Sequence, residues 1–159
     1  MLSFKVIVVP IDFSDHSLRA LPYAASIAQK FRAKLKIIYV DEPSLQAADV
    51  AWVAVDEESI DEDHAARAIR TLEKIVLEQV PQDVAADAEV LSGDPIDKVV
   101  RYARDEGADL IVMATHGRSG LSHVLMGSVA EHIVRKAPCP VLTLKQPMPV
   151  TAEAIDDAE

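Results

Sequence analysis

Ala114–Ala130 reads ATHGRSGLSHVLMGSVA and gathers three of the chain's five glycines within eleven positions. The run Leu110-Ile111-Val112-Met113 before it has the continuous apolar character of a strand buried on both faces. After it, Val129, Ala130, Ile133, Val134 and Ala137 recur at helical spacing, with Ser128 placed as the expected N-cap. A strand, a glycine loop and a helix start in that order describe an anion cradle. Glycines at 117 and 120 let the backbone approach a ligand closely, and the first turn of a helix offers unpaired N–H groups and partial positive charge. Arg118 and His123 stand within the loop as supplementary donors, and no Asp or Glu interrupts it.

Outward from this loop, strands and helices alternate. Phe4–Ile11 reads as a first, central strand and Leu35–Val40 as a second. Between them a helix is expected over Asp15–Phe31, with Leu18, Leu21, Ala25 and Ala28 inward and with a kink or late start imposed by Pro22. Ser59 and Glu62 make a capping-box pattern ahead of Ala65, Ile69, Leu72, Val76 and Val80. Ala86–Leu91 alternates in part, as at a sheet edge. Asp94, Pro95 and Gly107 mark the cap, first position and end of another helix. Strands at Asp109–Ala114 and Pro140–Lys145 complete the series. Long β-α-β crossovers call for a mostly parallel sheet with helices on both faces, and ligands in such sheets sit at the carboxyl ends of the strands.

The loop resembles the nucleotide loop of the universal stress protein family, whose ATP-binding members carry Gly-x2-Gly-x9-Gly-Ser/Thr. In this chain the pattern falls on Ala114, Gly117, Gly127 and Ser128, with alanine in place of the first glycine. The resemblance extends to VIVVPIDFSD at Val6–Asp15, to Ile38–Asp41, to Ser92-Gly93-Asp94-Pro95 and to Ala137–Leu142. It implies a Rossmann-like single domain, of the adenine nucleotide α-hydrolase type, with a five-stranded sheet in the order 3-2-1-4-5. It further implies that Asp12 contacts the adenosine part of ATP and that backbone at Pro10 or Ile11 and at Val40 holds the base. Ribose and phosphates then fall to Ala114, Thr115, His116, Gly117, Arg118, Ser119, Gly120, Ser128, Val129 and Ala130, with Gly127 in the motif. Mg2+ or Mn2+ would accompany the triphosphate. From its residues alone, Asp12 also reads as a helix cap, a role that can coexist with ligand contact, and His116 as lining the nucleotide mouth or simply exposed.

The 159 residues suit one domain, expected over 1–146, followed by a mobile acidic tail over 147–159. No apolar run spans a bilayer, and the N-terminus lacks the pattern of a signal peptide, so a cytoplasmic protein without membrane insertion is expected. A net charge of −10 disfavours nucleic acid as partner. Cys139 is the single cysteine and has no partner for an intrachain disulfide. Walker A, G-x-G-x-x-G, nucleophile-elbow and H-E-x-x-H patterns are absent, as is the Ser-Gly-Gly-x-Asp-Ser loop of ATP-cleaving relatives of the fold. No residue stands out as a general base, so enzymatic turnover is at most slow hydrolysis. Val50–Val55, with the only tryptophan at Trp52, either folds back onto the domain or is offered to a nucleotide or partner. The final strand, Val141–Leu144, has an open edge; the resemblance implies a homodimer through it. The reading is thus an ATP-binding regulator or sensor of the stress response, with an unidentified protein partner. Its alternatives are a nucleotide-free interaction protein of the same fold and a cyclic-AMP-binding variant.

Overall fold

A computed structural model describes residues 3–42, 57–116 and 126–145. Its elements run β1 (Val6–Ile11), α1 (Asp15–Leu18), α2 (Ala20–Phe31), β2 (Lys34–Asp41), α3 (Glu57–Gln79), β3 (Ala86–Ser92), α4 (Pro95–Asp105), β4 (Leu110–Ala114), α5 (Ser128–Lys136) and β5 (Val141–Leu144). Among the described residues the five strands form one sheet in the order β3-β2-β1-β4-β5, and every neighbouring pair is parallel.

Strand residues of alternating parity feed two cores, which is why β1 and β4 carry no polar side chain. Ile7, Val9, Leu35, Ile37 and Val112 pack beneath Leu21, Ala24 and Ala28 of α2 and Ala68 and Leu72 of α3. Val8, Ile38, Ile111 and Met113 pack beneath Val99 and Ala103 of α4 and Ala130 and Ile133 of α5. The helices therefore cover both faces of the sheet.

Several expected boundaries shift, each for a local reason. The first helix is divided at Arg19, and α2 restarts at Ala20. Pro22 thereby lies in a first turn, where a missing N–H costs no helical bond. α3 begins at Glu57, so Ser59 lies inside the helix and is not its cap. Its inward face is carried by Ala68 and Leu72, with the expected Ile69 and Val76 packed against the same core and Val80 buried just past the helix, while Ala65 is exposed. In α5, Ala130 and Ile133 face inward, whereas Val129 and Val134 are 40% and 42% exposed. Asp109 precedes β4 instead of starting it. Its carboxylate accepts from the N–H groups of Lys5 and Val6 at 2.7 and 3.0 Å, and these bonds hold its pKa below the ordinary value.

The helix over Pro95–Asp105 follows its signals closely. Asp94 Oδ1 accepts from the N–H of Asp97 at 2.8 Å, Pro95 occupies the first turn, and Gly107 takes φ +61° beyond the end. A charged cluster ties the far end of α4 to the outer strands. Lys36 Nζ lies 2.9 Å from Glu106 and 3.0 Å from Asp87, and Lys34 lies 2.7 Å from Asp87. Glu106, then Asp87, raise the lysine's pKa, while Lys34 and Lys36 lower that of Asp87. Tyr102 donates to Glu89, and burial together with that carboxylate pushes the phenol pKa up.

Candidate functional site

The sheet opens at the carboxyl ends of β1 and β4, the two strands between which the winding reverses. β1 pairs with β2 as far as Ile11↔Tyr39, but its pairing with β4 ends at Val8↔Ile111. In a parallel ladder the next rung would run from the N–H of residue 10 to the carbonyl of Val112. Residue 10 is proline and has no N–H to give. Beyond that missing rung lies a crevice of about 540 Å3, within the range of small-molecule sites.

Pro10, Ile11, Asp12, Val40, Ala114, Thr115, His116, Gly127, Ser128, Val129 and Ala130 all line this crevice. The structure therefore brings together every sequence-selected site residue that it describes. Gly117, Arg118, Ser119 and Gly120 lie outside the described residues, as do His123 and the Trp52 run.

Asp12 is held by the turn that follows β1. Its Oδ1 accepts from the backbone N–H of Ser14 at 2.9 Å and from the Ser14 hydroxyl, while its own N–H donates to Ser17 Oγ at 3.1 Å. The cap of α1 is Ser14, whose Oγ accepts from the N–H of Ser17, so the capping role considered for Asp12 belongs to its neighbour. Phe13, between them, takes φ +63°, a sparsely populated conformation for a bulky residue. Its ring packs on Tyr39 with centroids 4.4 Å apart.

Opposite stands the start of α5. Gly127 is its N-cap, and Ser128 is the first helical residue, which corrects the expected capping role of the serine. The N–H of Gly127 donates to Thr115 O at 2.8 Å, fastening the helix start to the end of β4. A Cβ at Gly127 would lie 3.0 Å from that same oxygen. Because glycine has no capping side chain, the amides of Ser128, Val129 and Ala130 receive no side-chain acceptor from the cap and sit in the crevice wall. Thr115 is buried at 5% exposure, and its Oγ1 lies 3.0 Å from His116 Nδ1. His116 Nε2 is shut off from solvent and has no hydrogen-bond partner among the described residues.

Sequence reasoning missed Ser17, Tyr39, Asp41, Glu42 and Pro95, which also line the crevice. Asp41 ends β2 and accepts at Oδ1 from Tyr39 Oη at 3.5 Å, a long contact, and its Oδ2 lies 3.0 Å from His64 Nδ1 on α3. The parallel register that places Ile11 beside Tyr39 brings the residues just past it on either strand to one rim, a juxtaposition that local sequence does not carry. Asp12, Asp41 and Glu42 make that rim acidic, whereas the α5 end offers amide donors. Such a polarised crevice suits a ligand with hydrogen-bond donors at one end and an anionic group at the other. Among the described residues no group of three or more His, Cys, Asp or Glu side chains could hold a metal ion, and no helix is long and apolar enough to cross a membrane.

The chain is similar to proteins that share this architecture over nearly its whole length. A universal stress protein of Methanocaldococcus jannaschii is 37% identical over 147 residues, covering 91% of this chain and 84% of that relative. One from Thermus aquaticus is 34% identical over 143 residues, covering 89% and 99%. Among solved structures, hypothetical protein MJ0577 superimposes with a TM-score of 0.78 at 26% identity, covering 92% of this chain and 99% of the other. A universal stress protein solved in complex with cAMP gives 0.63 at 26% identity, covering 91% and 98%. The model of the universal stress protein family matches residues 3–145, and the chain belongs to that family.

Proposed function

We propose that this universal stress protein binds ATP in the crevice between β1 and β4 and acts as a nucleotide-dependent regulator or sensor in the stress response. The observation that carries the reading is the polarised crevice itself, with the first-turn amides of α5, which receive no side-chain cap, facing a carboxylate rim. Its volume and donors fit an adenine nucleotide, with triphosphate toward Ser128–Ala130 and nucleoside toward Asp12 and Val40. Gly117, Arg118, Ser119 and Gly120 complete the phosphate cradle in this reading. Mg2+ or Mn2+ would be carried by phosphate oxygens and water, neutralising charge without a protein cage. In this reading the domain extends over residues 1–146. The protein works in the cytoplasm as a homodimer joined at β5, and the nucleotide alters the surface offered to a regulatory partner.

The relative solved with cAMP supports a second occupant for the same crevice. Acid-denaturing the purified protein and assaying the supernatant for ATP, ADP, AMP and cyclic AMP identifies what the crevice carries. Calorimetry with Mg-ATP and with cyclic AMP then ranks them. Absence of any co-purified nucleotide, together with no heat from either ligand, overturns the reading in favour of a nucleotide-free interaction protein.

A further inference from the structure

His64 of α3 does not line the crevice, but it holds a carboxylate that does. Its Nδ1 lies 3.0 Å from Asp41 Oδ2, at the rim where β2 ends. The Asp41 carbonyl accepts from the N–H of Gly93 at 2.9 Å, so the backbone that carries this carboxylate is tied to the end of β3. A carboxylate only accepts, so Nδ1 carries a proton whether the ring is neutral or charged. The contact therefore persists in both states while the charge of the pair changes by one. Histidine is the side chain that ordinarily makes such a change between about pH 5 and 8. The imidazole is 57% exposed and open to solvent protons, whereas the carboxylate is 25% exposed and less screened by water.

The surroundings of the ring are acidic. From β2 it meets Tyr39, Asp41 and Glu42, and Asp12 stands across the same crevice. β3 turns Ala86, Ala88 and Val90 toward the core beneath α3 and contributes no charge on that side. On its own helix Asp61, Glu62 and Asp63 precede it in sequence and Arg67 follows. A cleft lined by one sign of charge focuses the field on whatever enters it. An anionic ligand meets repulsion from the Asp12, Asp41 and Glu42 rim, and a cation seated on Asp41 cancels one part in that field.

We propose that His64 is a proton sensor for the crevice: its charged ring offsets Asp41 and strengthens the binding of an anionic nucleotide, and loss of the proton restores the repulsion. The inference rests on the nucleotide reading above and adds a regulator to it. Affinity rises as pH falls, and by linkage the nucleotide favours the proton on His64 to the same degree.

Calorimetric titrations of the full chain with Mg-ATP, at about pH 8 and about pH 6, test this. His64→Gln can still donate to Asp41 but never charges. The ratio of wild-type affinity to that of His64→Gln is expected to be near one at the higher pH and about threefold at the lower. His64→Lys is charged at both, so it is expected to bind about threefold more tightly than wild type at the higher pH and equally at the lower. The ligand and the other histidines titrate in all three proteins, so these ratios isolate residue 64. Independently of any variant, the NMR titration of the wild-type His64 ring is expected to move to higher pH when Mg-ATP saturates the protein. If wild type binds no Mg-ATP at either pH, the ATP reading and this inference fall together. If it binds, but the ratio to His64→Gln is the same at both pH values, only the inference falls. A His64 titration that Mg-ATP leaves unmoved, or a His64→Lys protein without the gain at high pH, overturns it as well.

Discussion

Pro10 deprives β1 and β4 of one hydrogen bond at the rim of the sheet, and this effect is separable from its packing. Replacing it by alanine restores the N–H that the next rung to Val112 lacks. The added hydrogen bond is worth about 1 kcal/mol, and losing proline's restriction of the unfolded chain costs about 0.4–1 kcal/mol, so net stability should hardly change. Protection of the residue 10 amide in hydrogen exchange, together with several-fold weaker Mg-ATP binding, is the expected result. An unprotected amide there would mean the rung does not form. Asp109 acts differently, through charge. Bonds from the Lys5 and Val6 amides hold its carboxyl below the ordinary value of 3.8, so its contribution is complete above that pH and is lost as pH falls through the lower folded value. Asp109→Ala should therefore cost about 1 kcal/mol near neutral pH in urea unfolding, and the gap to wild type should close in acid.

Among the elements, α4 depends on local signals most directly. Asp94→Ala removes the acceptor for the Asp97 N–H and is expected to lower stability by about 1 kcal/mol, measurable as a lower urea midpoint. The same locality made α4 legible in the sequence, because cap, first-turn proline and terminal glycine each act within a turn of the helix they bound. The sheet order was legible only through family resemblance, since nothing in Val6–Ile11 by itself selects β2 and β4 as neighbours. The starts of α3 and α5 lie three residues and one residue, respectively, ahead of the positions expected from Ser59 and Ser128. Ser59 and Ser128 are good caps in isolation, but the hydrogen bond from Gly127 to Thr115 decides where α5 begins, and that contact is tertiary. The acidic rim at Asp41 and Glu42 was missed because it needs the register between two strands. His116 was visible as a residue, but the burial of its Nε2, which has no hydrogen-bond partner among the described residues, exists only in the folded chain.

In the whole molecule the two sheet edges are unlike. β3 carries Asp87 and Glu89 and is wrapped by the lysine cluster, whereas β5 reads VLTL, without charge, and leaves Leu142 37% exposed. Bonds from Ile111 to Pro140 O and from Thr115 to Leu144 O mark the inward-facing backbone of β5, so by alternation the N–H of Thr143 faces away from β4. Thr143→Pro should break the proposed β5-to-β5 pairing while sparing the sheet, and light scattering should then report a monomer where wild type gives a dimer. A dimer that survives this substitution must use another surface. One feature of the sheet also bears on synthesis. Ile7 is synthesised about a hundred residues before Leu110, yet its strand belongs in the middle and pairs with Leu110 on one side. Translation must therefore continue well past β1 before that strand finds its second neighbour. Until then a greasy ribbon waits half-covered, and chaperone demand should peak during elongation, ahead of chain release.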